Sequence, residues 1–147
     1  MNQSYPDFLN TLDSLNENQK LVLSSVREFV KKEAEPLIKE AYRKEEFPVS
    51  LIRSLGEMGI LGANLKGYGL PGMDNISYGL AMKELSRCDS SLRSFASVQG
   101  ALVMYPILTF GSEEQKKWLP QLAKGEIVGC FGLTESEGGS DPAAMKT

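Results

Sequence analysis

The amino-acid sequence reads as a mainly α-helical domain over residues 1–126, followed by the first strand of a β domain that begins at residue 127 and is truncated at 147. Apolar residues recur at helical spacing in one segment after another up to about residue 125. Helix-start residues stand ahead of several of these segments. Only residues 127–134 change to a short apolar, β-compatible run, broken by Gly129 and Gly132.

After a polar lead-in over residues 1–15, Leu21, Val22, Val26, Phe29, Val30, Leu37, Ile38 and Ala41 mark a long amphipathic helix. Pro36 is expected to bend or divide it, because proline removes a backbone donor and crowds the preceding turn. A shorter helix follows Pro48, with Leu51, Ile52, Leu55 and Met58 on its apolar side and an end near Gly59 and Gly62. Gly67-Tyr68-Gly69-Leu70-Pro71-Gly72 has loop chemistry and is read as neither helix nor strand. It lacks the strand, the spacing and the following Lys and Ser or Thr of a phosphate-binding loop. Asp74 or Asn75 then caps a helix carrying Ile76, Leu80, Met82 and Leu85, and a further helix runs over residues 90–108. Ser112-Glu113-Glu114-Gln115 is a capping box, and Gly125 closes the helix it starts. The tail to residue 147 supplies no second strand, so the lone strand at 127–134 implies a chain that stops inside a second domain.

Composition narrows the function. Apolar residues at 41% and charged residues at 24% fit a globular chain rather than a disordered tail or a membrane protein. A formal charge of -3, with no basic stripe, argues against nucleic-acid binding. The chain has no histidine, which removes the Ser-His-Asp triad, the Cys-His dyad and His-ligated metal sites. Cys88 and Cys130 match no metal spacing and make no disulfide scaffold, which suits a reducing compartment. With no signal or transit character in the first twenty residues, a cytoplasmic protein of bacterial style is expected.

Two segments offer chemistry. The first is Cys130-Phe131-Gly132-Leu133-Thr134-Glu135 with Gly138-Gly139-Ser140-Asp141-Pro142 after it: exposed amides, two hydroxyls and little bulk, suited to a flat heterocycle or a pyrophosphate. On the residues alone such a string is more often an ordinary turn. The second is the helix carrying Arg93, Ser94 and Ser97. Arg93 and Ser97 share a face at i and i+4, so a guanidinium fork and hydroxyls converge on one ligand group, a distal carboxylate being well suited. The plain alternative is a surface arginine paired with Asp89, also four residues away.

The segment Phe131-Gly132-Leu133-Thr134-Glu135 with Gly139-Ser140-Asp141 resembles the flavin-binding segment of the acyl-CoA dehydrogenase family. The likeness extends back through Leu119-Pro120-Gln121-Leu122-Ala123-Lys124-Gly125-Glu126, Gly111-Ser112-Glu113-Glu114-Gln115-Lys116, Tyr105-Pro106, Gly67-Tyr68-Gly69 and Glu45-Glu46-Phe47-Pro48. Within the family, Glu84-Leu85-Ser86-Arg87 and residues 89–99 are most similar to the glutaryl-CoA dehydrogenases. The resemblance implies the N-terminal helical domain of that fold with the start of its central β domain, FAD as cofactor and an acyl-CoA thioester as substrate. Glutaryl-CoA would be oxidised and decarboxylated to crotonyl-CoA. It implies that Phe131, Gly132, Leu133 and Thr134 lie at the flavin ring. Gly139 and Ser140 would lie near the cofactor's phosphates or the pantetheine arm, and Arg93, Ser94 and Ser97 would bind the acyl end. Electron-transferring flavoprotein as electron acceptor and a homotetrameric assembly are further implications.

Two departures accompany it. Ser136-Glu137-Gly138 stands where the family commonly has proline after Thr-Glu and a small polar residue before Gly-Ser-Asp, which implies a more acidic loop. The family's catalytic base, a glutamate of a C-terminal helical domain, has no counterpart in this chain, so the isolated chain is expected to be inactive. Glu84, Glu135 and Glu137 are read as solvated or paired, Trp118, Met58, Met82 and Met104 as core or domain-contact groups, and Cys130 as an inert buried thiol. Two other readings stand beside the leading one: a dehydrogenase of simple short-chain acyl-CoA, and a non-enzymatic helical interaction module.

Overall fold

The computed structural model describes residues 7–147. Its first long element is one continuous helical run of α1 (Glu17–Phe29), a π-helical stretch (Val30–Ala34) and α2 (Glu35–Lys44). Asn16 starts it with a capping box. The Asn16 side chain accepts from the Gln19 N–H at 2.9 Å, and the Gln19 side chain accepts from the Asn16 N–H at 3.0 Å. Pro36 falls in the first turn of α2, directly after the wide π turns, so the run divides where proline withdraws its donor. The register change also alters which residues face inward. Leu23, Val26, Phe29, Val30 and Ala34 are buried, whereas Leu37, expected on the apolar face but lying past the π turns, is exposed; Leu21, expected there too, is exposed because it falls off the inward line of α1.

α3 (Ser50–Glu57) follows Pro48 and closes at a left-handed Gly59. The glycine-rich stretch after it is more ordered than a loop. β1 (Lys66–Gly67) and β2 (Leu70–Pro71) pair antiparallel, Lys66 with Pro71 and Gly67 with Leu70. The two turn residues, Tyr68 and Gly69, have φ of 52° and 78°, the positive pair that lets a two-residue turn follow the strand twist. The composition signals of loop and tight hairpin coincide here, which is why the pairing escaped the sequence reading.

α4 (Asn75–Cys88) is capped by Asp74, which accepts from the Ile76 and Ser77 N–H groups at 2.9 and 3.0 Å. α5 (Ser90–Ser97) is capped by Asp89 through the Leu92 N–H, and runs through a second π-helical stretch (Val98–Met104) into α6 (Tyr105–Phe110). Ser112 and Gln115 form the expected capping box of α7 (Glu113–Lys116), but the helix expected to continue to Gly125 ends at Lys116, and a separate α8 (Leu119–Ala123), with Pro120 in its first turn, completes the helical part.

α4 lies against both α1 and α5. The main core joins Val26, Phe29 and Val30 to Leu51 and Leu55 of α3, Ile60 and Leu61, Ala81 and Leu85 of α4, and Leu92 and Ala96 of α5. A second core beneath the hairpin joins Leu65 and Leu70 to Val103, Met104, Leu119 and Leu122. Leu51, Leu55, Ile60, Leu61, Leu85 and Leu92 are each at most 1% exposed. Burial of one such side chain contributes about 1.5–3 kcal/mol, more than a solvent-exposed ion pair of about 0–1 kcal/mol. Apolar packing therefore dominates over surface pairs such as Lys32–Glu28 and Lys117–Glu114.

One charged group breaks the apolar pattern between α1 and α4. Glu84 is 1% exposed, with Arg27 Nε 3.0 Å from Oε1 and Arg87 Nη2 2.9 Å from Oε2. Burying a carboxylate is tolerable only with such partners, and the Arg27 contact ties α4 to α1 by charge, Arg87 standing on α4 itself.

Residues 127–134 do not form the expected strand. They run without regular structure, because no edge among the described residues offers a ladder of backbone partners. Beyond them, an isolated bridge between Glu135 and Gly138 makes a tight turn, and a short 3₁₀ turn (Pro142–Ala144) is capped by Asp141. Cys130, expected to be buried within a strand, is exposed for the same reason, and Trp118 is exposed while Met104 is core.

Candidate functional site

The first half of the site is one face of α5. The Asp89 cap and the burial of Leu92 and Ala96 turn the opposite side of the helix outward, leaving Ser94 exposed and Arg93 and Ser97 half-buried. The plain alternative for Arg93 does not occur. Asp89 instead accepts from the Ser91 hydroxyl and the Leu92 N–H, and no salt bridge among the described residues includes Arg93. The charge of Arg93 is felt by the Tyr78 phenol of α4, whose pKa is raised by burial and drawn back by the guanidinium. Arg93 therefore lies within electrostatic reach of a phenol, on the same side of α5 as Ser94 and Ser97, and forms no salt bridge with a carboxylate of the described residues. Leu102 and Tyr105 continue the exposed side of the same helical run.

The second half is the segment after α8. Gln99, 1% exposed on the π-helical stretch, holds its base. The Gln99 Nε2 donates to the Leu122 carbonyl at 3.1 Å and to the Ile127 carbonyl at 3.0 Å, and the Gly129 N–H donates to Oε1 at 3.1 Å. Gly129 is needed for a second reason. A Cβ there would lie 2.3 Å from Val103 Cγ1, so the backbone passes flat against the π-helical stretch. Past this anchor the chain emerges into solvent, with Phe131 48% and Leu133 37% exposed. The N–H groups of residues 130–134 have no hydrogen-bond partner among the described residues.

The turn at Glu135 and Gly138 brings the two parts of the loop together. A Cβ on Gly139 would lie 3.6 Å from Thr134 Cγ2. The Glu135 carboxylate accepts the Thr147 hydroxyl and the N–H groups of Lys146 and Thr147 at 3.0 and 3.1 Å, and these bonds, the hydroxyl's foremost, lower its pKa. Glu137 pairs with Lys146. Both are thus paired, as read from the sequence. Ser140 is exposed and free of hydrogen bonds among the described residues.

These features fit a flavin. Two exposed apolar side chains beside a row of unpaired amides match a ring system that is apolar on its face and hydrogen-bonding at its edge. Phe131, Leu133 and the amides of residues 131–134 would hold the ring, and Gly139 and Ser140 would lie at the margin of that surface. No hydrogen bond or ion pair joins Arg93, Ser94 or Ser97 to residues 131–140 among the described residues. What links the two halves is Gln99, a residue the sequence reading did not single out. Its signal was faint: one amide in an otherwise apolar run. No group of His, Cys, Asp and Glu among the described residues could hold a metal ion.

Comparison with known proteins bears on this arrangement. Residues 16–126 match the family model of the acyl-CoA dehydrogenase N-terminal domain. An acyl-CoA dehydrogenase of Bacillus subtilis is 38% identical over 135 residues, covering 90% of this chain and 36% of the relative. The human mitochondrial short-chain specific acyl-CoA dehydrogenase is 35% identical, covering 90% of this chain and 33% of its own length. Among solved structures, a glutaryl-CoA dehydrogenase from Mycobacterium smegmatis is 47% identical, with a TM-score of 0.89 over 96% of this chain and 37% of that one. Another structure of a glutaryl-CoA dehydrogenase from that organism, in complex with FADH2, gives 44% identity and a TM-score of 0.89 over 95% of this chain and 36% of that one. The chain thus spans about a third of the length of these relatives. Family match, identity and shared fold agree, and the chain belongs to the acyl-CoA dehydrogenase family through its N-terminal domain.

Proposed function

We propose that the chain is the N-terminal part of an FAD-dependent acyl-CoA dehydrogenase acting on glutaryl-CoA, which a complete protein oxidises and decarboxylates to crotonyl-CoA. In this reading residues 1–126 are the helical domain and residues 127–147 begin the central β domain. The observation that carries it is Arg93, half-buried beside Ser94 and Ser97 on one face of α5 with no carboxylate partner among the described residues. A guanidinium left unpaired beside two hydroxyls is matched by a ligand's own carboxylate. The identity of 44–47% to structures of glutaryl-CoA dehydrogenases supports the same choice.

Bound FAD supplies the acceptor for a hydride from the substrate's β carbon. The residues of this chain bind and orient. Arg93, with Ser94 and Ser97, holds the distal carboxylate. The amides of residues 131–134 hold the edge of the ring, Phe131 and Leu133 keep water from one side, and Ser140 meets the thioester's pantetheine arm or the cofactor's phosphates. The α proton is proposed to go to a glutamate of the C-terminal helical domain that the family resemblance implies, and the helical part without that domain is proposed to be inactive. Electron-transferring flavoprotein is the proposed electron acceptor and a homotetramer the proposed assembly. Two free cysteines fit a reducing compartment, here read as the cytoplasm, and no helix among the described residues is long and apolar enough to cross a membrane.

The test compares kcat/KM for glutaryl-CoA and butyryl-CoA in the full-length protein before and after Arg93→Ala. Loss of a charged bidentate contact, about 1.5–3 kcal/mol, lowers the glutaryl preference roughly 10- to 150-fold. An unchanged preference removes the carboxylate-reading role. Identity to short-chain specific relatives favours a second reading, a dehydrogenase of simple short-chain acyl-CoA, and a wild-type preference for butyryl-CoA would establish it. The exposed Leu102, Tyr105, Phe110 and Trp118 suit a non-enzymatic interaction module, for which a colourless, self-associating full-length protein would speak.

A further inference from the structure

We infer that Gln99 is a positioning residue that sets the flavin-facing segment in register with the acyl-reading helix, an inference that rests on the function proposed above. The hydrogen-bond chemistry is specific to an amide. The two Nε2 protons go one each to the Leu122 and Ile127 carbonyls, and Oε1 takes the Gly129 N–H. Neither Glu nor Met supplies two donors and an acceptor in that volume. Full satisfaction also explains how a polar side chain tolerates 1% exposure.

The pattern on the segment is that of a sheet. The carbonyl of residue 127 and the N–H of residue 129 are the two groups that a parallel neighbouring strand engages around residue 128. The side-chain amide of Gln99 therefore stands in for that strand at the point where the chain leaves the helical part. Val103, four residues further along the same π-helical stretch, closes against Gly129 at a distance that admits no Cβ. Two contacts from one helical run thus fix residues 127–129, directly ahead of residues 131–134. Ser97 lies two residues before Gln99 and Arg93 six before it on that run, so the group that reads the acyl end and the anchor of the flavin segment are parts of one rigid element. Gln99 itself lies in the wide π-helical stretch that begins directly after Ser97, a feature that recurs at functional sites.

The experiment is Gln99→Leu in the full-length flavoprotein, with Gln115→Ala, which breaks the capping box of α7, as a destabilised control. The expected result is FAD binding weakened at least roughly tenfold, an altered shape of the visible flavin band, and kcat for glutaryl-CoA lowered while KM stays within about twofold, since Arg93 is untouched. Gln115→Ala lowers the melting temperature and leaves the flavin band and FAD affinity as they were. If Gln99→Leu does not accumulate folded, Gln99→Glu decides by the same readings, because it keeps an acceptor for the Gly129 N–H and loses both donors. A lowered melting temperature with unchanged FAD affinity, band shape and kcat overturns the positioning role. A wild-type protein that carries no flavin overturns the proposed function and this inference with it.

Discussion

Exchanging Glu84 for glutamine probes the buried charge between α1 and α4 with almost no change of volume. The carboxylate is 1% exposed and meets Arg27 at 3.0 Å and Arg87 at 2.9 Å. Breaking a buried ion pair by removing one partner gives a gross loss of about 3–5 kcal/mol. Exposure reduces that figure. The Arg27 side chain is 38% exposed and rehydrates when released, so its contact is worth about 0.5–1 kcal/mol. Arg87, 26% exposed, retains more, about 1.5 kcal/mol. The net expectation is a destabilisation of about 2 kcal/mol, or a melting temperature lower by roughly 4–8 °C for a chain of this size. Urea unfolding followed by circular dichroism measures it, with an unchanged m-value showing that the denatured state is the same. A double-mutant cycle with Arg27→Met, the partner on α1, should return a coupling of about 0.5–1 kcal/mol. A loss below about 0.5 kcal/mol for Glu84→Gln, or no coupling, would refute the view that this charge ties the helices together.

The remaining expectations concern thiols and acid. At pH 8 one thiol per folded chain should react rapidly with a disulfide reagent, the exposed Cys130, while Cys88 stays silent because burial, with Glu35 and Asp89 nearby, pushes its pKa up to about 11; two fast thiols would contradict this placement. Asp74 accepts from the Ser77 hydroxyl first and then from the Ser77 N–H and Gln19, which holds its pKa below the ordinary 3.8. A group lowered on folding stabilises fully above its unfolded value and loses that contribution as pH falls through the folded one. The stability gap between wild type and Asp74→Asn, read by chemical unfolding from pH 7 down to about 2, should therefore narrow in the acid limb below about 4, and a constant gap would count against the charged cap.

The helix starts were legible because their chemistry is confined to a few residues. Asp74 and the Ser112 to Gln115 box act within three residues, and the structure shows each bond that the pattern implied. Pro36 likewise marked the point at which the first helical run divides. The flavin-loop resemblance was legible for a similar reason, since a local string of glycines, hydroxyls and apolar residues carries it. Other features were not. Leu21 and Leu37 face solvent although both were expected on the apolar face: Leu21 falls off the Gln19, Leu23, Val26 inward line of α1, and Leu37 follows a π-helical stretch that changes the inward face. Residues 127–134 had β-compatible composition but no strand, since a strand is completed by a neighbour and not by its own residues.

Sequence alone was enough for the helical class, the caps, the family resemblance and the candidate residues Arg93, Ser94 and Ser97, because each rests on contacts or patterns a few positions long. Folding in three dimensions was needed to show that Arg93 is left without a carboxylate, that Glu84 is buried between Arg27 and Arg87, and that Gln99 anchors Ile127 and Gly129. The last two bonds span 28 and 30 positions. A buried polar group takes whatever partner the packing brings to it, and at that separation no local periodicity records the choice.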